Sequence, residues 1–277
     1  MTRPAPAYGL DDLLRLMARL RDPAHGCPWD QQQSFASIVP HTLEEAYEVA
    51  DAIAQGDFAQ LEGELGDLLF QVVYYAQLGR EAGHFDWDRV VDGITRKLIR
   101  RHPHVFPDGR LDTPPGAVSL APEQIKRRWE EIKAEERAER GGEPHQLSLL
   151  DDVPQALPAL SRAQKLQKRA ASAGFDWPAA APVLEKVAEE LAEIRQALEE
   201  GNQQAVVDEV GDLLFSVVNL ARHLKVDAEQ ALRQGNAKFE RRFRHVESAM
   251  GNSPANMQAA GLDRLDQLWN EAKRKGL

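Results

Sequence analysis

The sequence predicts an all-α protein built from two tandem copies of one helical domain. The first observation is a repeated segment, which reads GELGDLLFQVVYYA at 63–76 and DEVGDLLFSVVNLA at 208–221. The second is the spacing of apolar residues, which recur every three or four positions over long segments, as on one face of an α-helix. The third is that these segments lack the apolar and polar alternation of half-buried strands. Each copy is therefore expected to consist of helical hairpins.

The two copies align residue by residue across their centre. Adding 145 to a residue number in the first copy gives its counterpart in the second: Glu44, Glu45, Glu48, Gly56, Glu64 and Asp67 correspond to Glu189, Glu190, Glu193, Gly201, Glu209 and Asp212. Outside this centre the offset drifts slowly, which indicates small insertions in loops. An alignment of this length indicates duplication of a whole domain rather than a solenoid of short repeats.

The apolar periodicity places long helices at corresponding positions in both copies. The predicted ranges are 42–55, 58–80, 88–101, 183–200, 203–224 and 227–246. Gly56 and Gly201 lie between the first two helices of each set, where a helix C-terminus commonly needs a residue that tolerates positive φ. A polar stretch with two glycines and two prolines, 139–154, predicts a linker. The domains are thus predicted at 1–138 and 155–277.

Composition and charge exclude several classes of protein. The 34 basic and 44 acidic residues give a formal charge of −10, which argues against broad, non-specific nucleic-acid binding. A single cysteine, Cys27, excludes an internal disulfide framework and zinc sites built from cysteine pairs. No window approaches the roughly 18 to 20 apolar residues of a membrane span. We expect a cytoplasmic protein without a membrane or nucleic-acid partner.

Acidic side chains form a narrow strip on the repeated helix. At 100° per residue, Glu64, Asp67 and Gln71 fill one sector of a helix whose other sides are apolar. The second copy repeats the arrangement with Glu209, Asp212 and Ser216. A helix that is apolar nearly all round is expected to be buried, so these carboxylates should face the interior or a cleft. There they would need protons, cationic partners or a metal.

The preceding helix supplies a second acidic pair. Glu45 and Glu48 are three residues apart and share a face, and their counterparts are Glu190 and Glu193. Two antiparallel helices would bring both pairs together. Four carboxylates without cysteine or a repeated histidine make a site for a hard cation, best suited to Mg²⁺ with Mn²⁺ as a substitute.

The alternative is that these acids form an ordinary solvated helix face. Duplication argues against it. Surface acids have diverged between the copies, since Asp51 lies opposite Gln196 and Glu62 opposite Val207. The four predicted ligand positions have kept their carboxylates in both copies, which indicates a function.

A basic turn follows in each copy. Lys97, Arg100 and Arg101 match Lys238, Arg241 and Arg242, and the spacing in the second copy puts them on neighbouring turns of one face. Such a turn in an acidic protein would suit a phosphate chain beside a metal, and ordinary surface charge is the alternative.

Trp129 and Trp269 could stack on a base or anchor a terminal helix. Trp29 and Trp177 are expected to be core anchors.

The acidic pattern resembles the EExxE…ExxD signature of the MazG-type nucleoside triphosphate pyrophosphohydrolases. The matching segments are EEAYE with ELGD and EELAE with EVGD, and GCPWDQ, RRHPHVF, QKLQKRA, GFDW and KFERRF follow the family's order. The resemblance implies an all-α fold with helices paired in four-helix-bundle-like homodimers. It also implies Mg²⁺-dependent cleavage of nucleoside triphosphates to monophosphate and pyrophosphate, with broad base tolerance and a housekeeping role.

The resemblance also implies roles for individual residues. The metal ligands would be Glu190, Glu193, Glu209 and Asp212, with Glu45, Glu48, Glu64 and Asp67 as the equivalents in the first copy. The nucleotide contacts would include Lys186, Glu190, Lys238, Arg241, Arg242 and Trp269. Lys186 lies opposite His41, so the first copy loses a permanent positive charge. We therefore expect the C-terminal site to be the active one.

The predicted mechanism is attack of water on the α-phosphorus beside a carboxylate-bound cation, with Glu189 or Glu193 as general base. The spacing does not choose between these two. A nucleotide sensor without turnover is the alternative function. A di-iron bundle would want two Glu-x-x-His motifs, and the chain offers EAGH at 81–84 without a repeated counterpart. A scaffold would not explain carboxylates inside apolar helices.

Overall fold

The structure, a computed structural model, describes residues 7–112, 121–140, 148–151 and 153–277. The chain divides into two compact units, Met1–Arg140 and Gly141–Leu277. Much of the predicted linker lies outside the described residues, so the domain boundaries stay a prediction.

The regular structure of both units is helical throughout the described residues, and turns and loops connect the helices. The first contains α1 (Leu10–Leu20), α2 (Pro28–Gln31), α3 (Phe35–Gln55), α4 (Phe58–Glu81), α5 (Trp87–Arg101) and α6 (Pro122–Arg140). The second contains α7 (Ala159–Ser172), α8 (Ala180–Glu199), α9 (Gln203–His223), α10 (Ala228–Ala249) and α11 (Pro254–Arg274). No strand occurs among the described residues. The predicted all-α, duplicated fold is confirmed, and none of the described helices combines the length and apolarity needed to cross a membrane.

A short turn with a glycine joins the two helices of the central hairpin in each unit, with two residues (56–57) in the first unit and three (200–202) in the second. Gly56 ends α3 with φ of 71° and Gly201 follows α8 with φ of 66°, as the predicted left-handed ends require. The next residue caps the following helix: Asp57 accepts from the backbone N–H groups of Ala59 and Gln60, and Asn202 accepts from that of Ala205. These turns pack α3 against α4 and α8 against α9 in antiparallel hairpins.

The core covers only part of the central helices. In the first unit the buried cluster comprises Met17, Ile38, Val73, Tyr74 and Leu78. The expectation that the repeated helix is buried on all sides is wrong for the single chain. Leu65 on α4 is 50% exposed and Leu214 on α9 is 53% exposed. The reason is that each hairpin is one layer of two helices, and the neighbouring helices of the unit cover only one of its sides.

Candidate functional site

Three glutamates of the second unit meet where α8 and α9 run side by side. Glu190 and Glu193 on α8 and Glu209 on α9 each place a carboxylate oxygen within 4.8 Å of the others. Glu190 is buried, and the other two are half-buried. The hairpin turn at Gly201 brings these residues together, as the sequence predicts.

The first unit repeats this cluster on α3 and α4. Glu45, Glu48 and Glu64 likewise place carboxylate oxygens within 4.8 Å of one another. Glu45 and Glu64 are half-buried, whereas Glu48 is exposed. The first cluster is therefore more open than the second, where Glu190 is withdrawn from solvent.

Asp67 and Asp212, the fourth predicted ligand of each set, lie at the margin of the clusters. Both are exposed and outside the groups of three oxygens. Their charge nevertheless reaches the cluster. Partial burial raises the pKa of Glu209, and repulsion from Glu193, Glu190 and Asp212 raises it further. Burial raises the pKa of Glu45 as well, with repulsion from Asp67, Glu48 and Glu64.

Carboxylates this close repel one another, and a cation would relieve that repulsion. The donors are all oxygen, which fits a hard divalent cation such as Mg²⁺ and does not fit a soft metal. The residues present therefore match the chemistry of the predicted ion, with the second cluster the more enclosed of the two.

Lys186 lies at the edge of the second cluster. Its Nζ is 2.8 Å from Glu189 Oε1 and 2.9 Å from Glu190 Oε1. Hydrogen bonds to these two carboxylates raise the pKa of Lys186, so it is positively charged at neutral pH. Glu189 is exposed and outside the group of three oxygens. In the first unit His41 Nδ1 is 3.7 Å from Glu44 Oε2 instead.

The basic turn of the second unit lies on α10, which packs against α11. Lys238 and Arg241 are exposed and make no ion pair within the described part of the chain. Arg242 lies 5.7 Å from the ring centre of Trp269 and donates from Nε to the backbone oxygen of Leu277 at 2.8 Å. Two cationic side chains thus remain available to a ligand.

The basic turn of the first unit is neutralised within the chain. Glu136 on α6 is buried and pairs with both Arg100 and Arg101, whose Nε lies 3.2 Å from Glu136 Oε1. Hydrogen bonds from Arg101 and then Arg100 lower the pKa of Glu136 to about 2. The sequence contains a signal for this difference between the copies, because the offset of 140 that aligns Trp129 with Trp269 places Gly276 opposite Glu136.

Trp29 and Trp177 are not core anchors, which corrects the expectation from the sequence. Trp29 is 53% exposed and Trp177 is 41% exposed. Trp29 lies edge-on to His41, with ring centres 6.1 Å apart. Trp177 lies at the wall of a cavity of about 260 Å³ that reaches Ser216 on α9. Both tryptophans precede the first helix of an acidic hairpin, and the residues that the structure describes leave about half of each side chain exposed.

Comparison with known proteins identifies the family. The model of the MazG nucleotide pyrophosphohydrolase domain matches the chain twice, at residues 33–106 and 181–247. The two matches include both acidic clusters and both basic turns, at corresponding positions of the two units.

Relatives match nearly the whole chain. A nucleoside triphosphate pyrophosphohydrolase of Escherichia coli is 50% identical over 270 residues, which are 96% of this chain and 97% of the relative. A nucleoside triphosphate pyrophosphohydrolase/pyrophosphatase MazG of Thermotoga maritima is 38% identical over 95% of each chain. Protein YabN of Bacillus subtilis is 41% identical over 93% of this chain and 50% of its own length. The chain therefore belongs to the family of the MazG nucleotide pyrophosphohydrolase domain, which it contains in two copies.

Proposed function

We propose that the protein hydrolyses nucleoside triphosphates to nucleoside monophosphate and pyrophosphate, and that the reaction takes place at the C-terminal acidic cluster. The observation that carries the proposal is the convergence of Glu190, Glu193 and Glu209 from two helices beside the permanent charge of Lys186. The names of the relatives from Escherichia coli and Thermotoga maritima support the reaction class.

The cofactor in this proposal is Mg²⁺, with Mn²⁺ as a substitute. Glu190, Glu193, Glu209 and Asp212 would hold it in the second unit, since their oxygens are the donors that these ions prefer. When bound, the ion supplies Lewis-acid polarisation of the phosphate and lowers the pKa of water.

The protein's own side chains then position and neutralise the reactants. A carboxylate, Glu189 or Glu193, accepts the proton of the attacking water at an Oε atom. Lys238 and Arg241, which form no ion pair with any residue that the structure describes, bind the outer phosphates, with Arg242 beside them. Trp269 supports this turn, because its ring contacts Phe239 with centres 5.2 Å apart and packs under Arg242. Positioning and charge are the main requirements of phosphoryl chemistry, so no protein nucleophile is needed.

Two differences favour the second copy as the active one. Its cluster has Lys186 beside it, a permanent cation, whereas the first copy has His41 at the matching position. Lys238 and Arg241 in its basic turn are exposed, whereas Arg100 and Arg101 of the first copy form ion pairs with Glu136. The first copy is then weaker, differently selective or mainly structural.

The assembly in this proposal is a homodimer in the cytoplasm, with broad base tolerance and a role in clearing nucleotides. Support for pairing comes from the apolar side chains that α4 and α9 leave exposed, among them Leu65 and Leu214. A second copy with the same helices would cover them by a symmetric contact.

Hydrolysis of ATP with Mg²⁺ in ¹⁸O-enriched water tests the reaction. Phosphorus NMR should show AMP and pyrophosphate, with the heavy isotope in AMP because water attacks the α-phosphorus. Release of inorganic phosphate, or label in pyrophosphate, would contradict the proposed reaction. Binding of ATP without any turnover would instead favour a nucleotide sensor.

A further inference from the structure

A cavity in the second unit lies beside the acidic helix and has the dimensions of a small ring system. Its volume is about 260 Å³, and its walls include the aromatic side chains of Phe175, Trp177 and Phe215. Phe175 is 80% exposed, so the entrance has an aromatic rim that contributes little to the core. Exposed aromatic rings around a mostly apolar hollow with a few polar groups are typical of sites that stack a planar ligand.

The cavity contains one buried acceptor without a partner. Gln167 is 6% exposed, and its Oε1 makes no hydrogen bond. The other end of the amide is fixed, because Nε2 donates to the backbone oxygen of Phe215 at 2.8 Å. This bond sets the orientation of the amide and leaves Oε1 as the free acceptor. A buried polar atom without a partner is destabilising, which indicates a ligand with an N–H donor.

The charged groups of the cavity wall neutralise one another. Asp176 accepts a hydrogen bond from Arg222 and lies 3.1 Å from Nε2 of His223, and the bond from Arg222 is the main reason that the pKa of Asp176 is low. Arg222 also donates from Nε to Asn219 Oδ1 at 3.0 Å. Because these charges are paired with one another, the cavity favours a neutral ring over a phosphate group.

One polar stripe of α9 connects the acidic cluster with the cavity. Asp212, Ser216 and Asn219 are spaced four and three residues apart, which places them on one face of the helix. At 1.5 Å per residue, Ser216 lies about 6 Å and Asn219 about 10 Å beyond Asp212 along the axis. That spacing suits a nucleotide whose α-phosphate lies at the cluster and whose base lies further along the helix.

The first unit fills the corresponding position. Tyr74 corresponds to Asn219 by the offset of 145, and its ring is fully buried. Its hydroxyl donates to the backbone oxygen of Asp30 at 2.9 Å. Its ring also packs edge-on against Phe70, with centres 5.8 Å apart. The second unit therefore has an open space next to Asn219, whereas the first unit has a buried aromatic side chain at the matching position.

We propose that this cavity is the nucleobase subsite of the C-terminal site, with Phe175 and Trp177 stacking on the base and Gln167 Oε1 accepting a hydrogen bond from a base N–H. The inference rests on the proposed function, since it assumes a nucleotide substrate. Each common base carries at least one N–H donor on its pairing edge. A single amide acceptor therefore holds every base without selecting strongly among them.

The test compares ATP with inorganic tripolyphosphate, which has the phosphate chain without a base. For Trp177→Ala, kcat/KM for ATP should fall about 5- to 100-fold, the range for losing one stacked aromatic ring. The inhibition constant of tripolyphosphate against ATP should stay within twofold. Trp29→Ala is the matched control in the first copy and should leave both values unchanged. If tripolyphosphate binding weakens as much as kcat/KM for ATP falls, or if kcat/KM for ATP does not change, the cavity is not a nucleobase subsite.

A second variant protects the test against misfolding. Phe175→Ala removes a side chain that is mostly in solvent, so its thermal unfolding should match that of wild type while kcat/KM for ATP falls. Should the wild type show no turnover, calorimetric titration with AMP still decides the matter. Weaker binding of AMP to Phe175→Ala than to wild type would support the nucleobase subsite even with the proposed hydrolysis refuted. Equal binding of AMP would refute the subsite.

Discussion

Lys186 Nζ lies 2.9 Å from Oε1 of Glu190, one helical turn further along α8. Glu190 is the most buried member of its cluster, so the second site has a permanent cation on its least solvated carboxylate. The first site has His41 at the matching position, and this histidine faces Glu44 rather than Glu45. The two clusters have three glutamates each at matching positions, and the second has a lysine beside them where the first has a histidine.

Replacing this lysine by the residue of the first copy should reduce activity and make it depend on pH. Lys186→His is expected to lower kcat/KM for ATP about 100-fold at pH 8, as for loss of one electrostatic contact. The ratio of kcat/KM in the variant to kcat/KM in wild type should recover as the pH falls through about 6.5, where the imidazole gains its charge. Steady-state rates from pH 5.5 to 8.5 measure this. His41→Lys is the matched control, and a similar loss in that variant would contradict the assignment.

Glu189 and Glu193 should behave differently when each carboxylate is changed to an amide. Glu193 belongs to the three-oxygen cluster, so Glu193→Gln is expected to weaken Mg²⁺ activation, with a higher metal concentration at half-maximal rate. Glu189 lies outside it, so Glu189→Gln should leave metal activation unchanged. If Glu189 is the general base, that variant loses about 100-fold or more in kcat. A full kcat for Glu189→Gln would assign the proton transfer to Glu193.

Glu136 is expected to stabilise the first unit in a manner that disappears in acid. Its pKa is about 2 in the folded protein, below the ordinary 4.5, so the folded state binds fewer protons than the unfolded state. The contribution of ionised Glu136 to the free energy of unfolding is complete above about pH 4.5 and is lost as the pH falls towards 2. Glu136→Gln should cost about 2 kcal/mol of unfolding free energy at pH 7, since Arg101 and Glu136 are largely buried.

Urea unfolding at pH 7 and pH 3 measures this difference. Glu131→Gln, which removes an exposed acid on the same helix, should change stability little at either pH. A Glu136→Gln penalty that is equal at both pH values would show that the ion pair with Arg100 and Arg101 is not its cause.

The exposed apolar face of α9 should be the contact between two copies. Leu214→Glu is expected to convert the proposed dimer to a monomer, because it places a charge where apolar side chains would meet. Leu262→Glu, at a position 81% exposed on α11, should leave the mass unchanged. Light scattering coupled to size-exclusion chromatography measures both, and a monomeric wild type at working concentrations would refute the proposed pairing.

Much of the fold follows from local pattern. The helices predicted at 88–101 and 203–224 are found at Trp87–Arg101 and Gln203–His223, because apolar spacing and turn glycines act within a few residues. The meeting of the acidic pairs was predictable for the same reason, since a turn of two or three residues fixes each hairpin.

The remaining features depend on contacts between distant segments. Glu136 reaches Arg101 across 35 residues and Gln167 reaches Phe215 across 48. Periodicity contains no information about such pairs. The exposure of Trp177 and of the apolar side of α9 depends on how many helical layers surround the hairpin, which helix patterns do not specify.

The most direct measurement is Mg²⁺-dependent ATP hydrolysis by wild type, Glu209→Ala and Glu64→Ala, with products resolved by phosphorus NMR. These variants remove the same glutamate from the two copies, so each controls for the other. We predict AMP and pyrophosphate from wild type and Glu64→Ala, and a loss of both products in Glu209→Ala. Full activity in Glu209→Ala, with loss in Glu64→Ala, would contradict the assignment of the reaction to the C-terminal cluster.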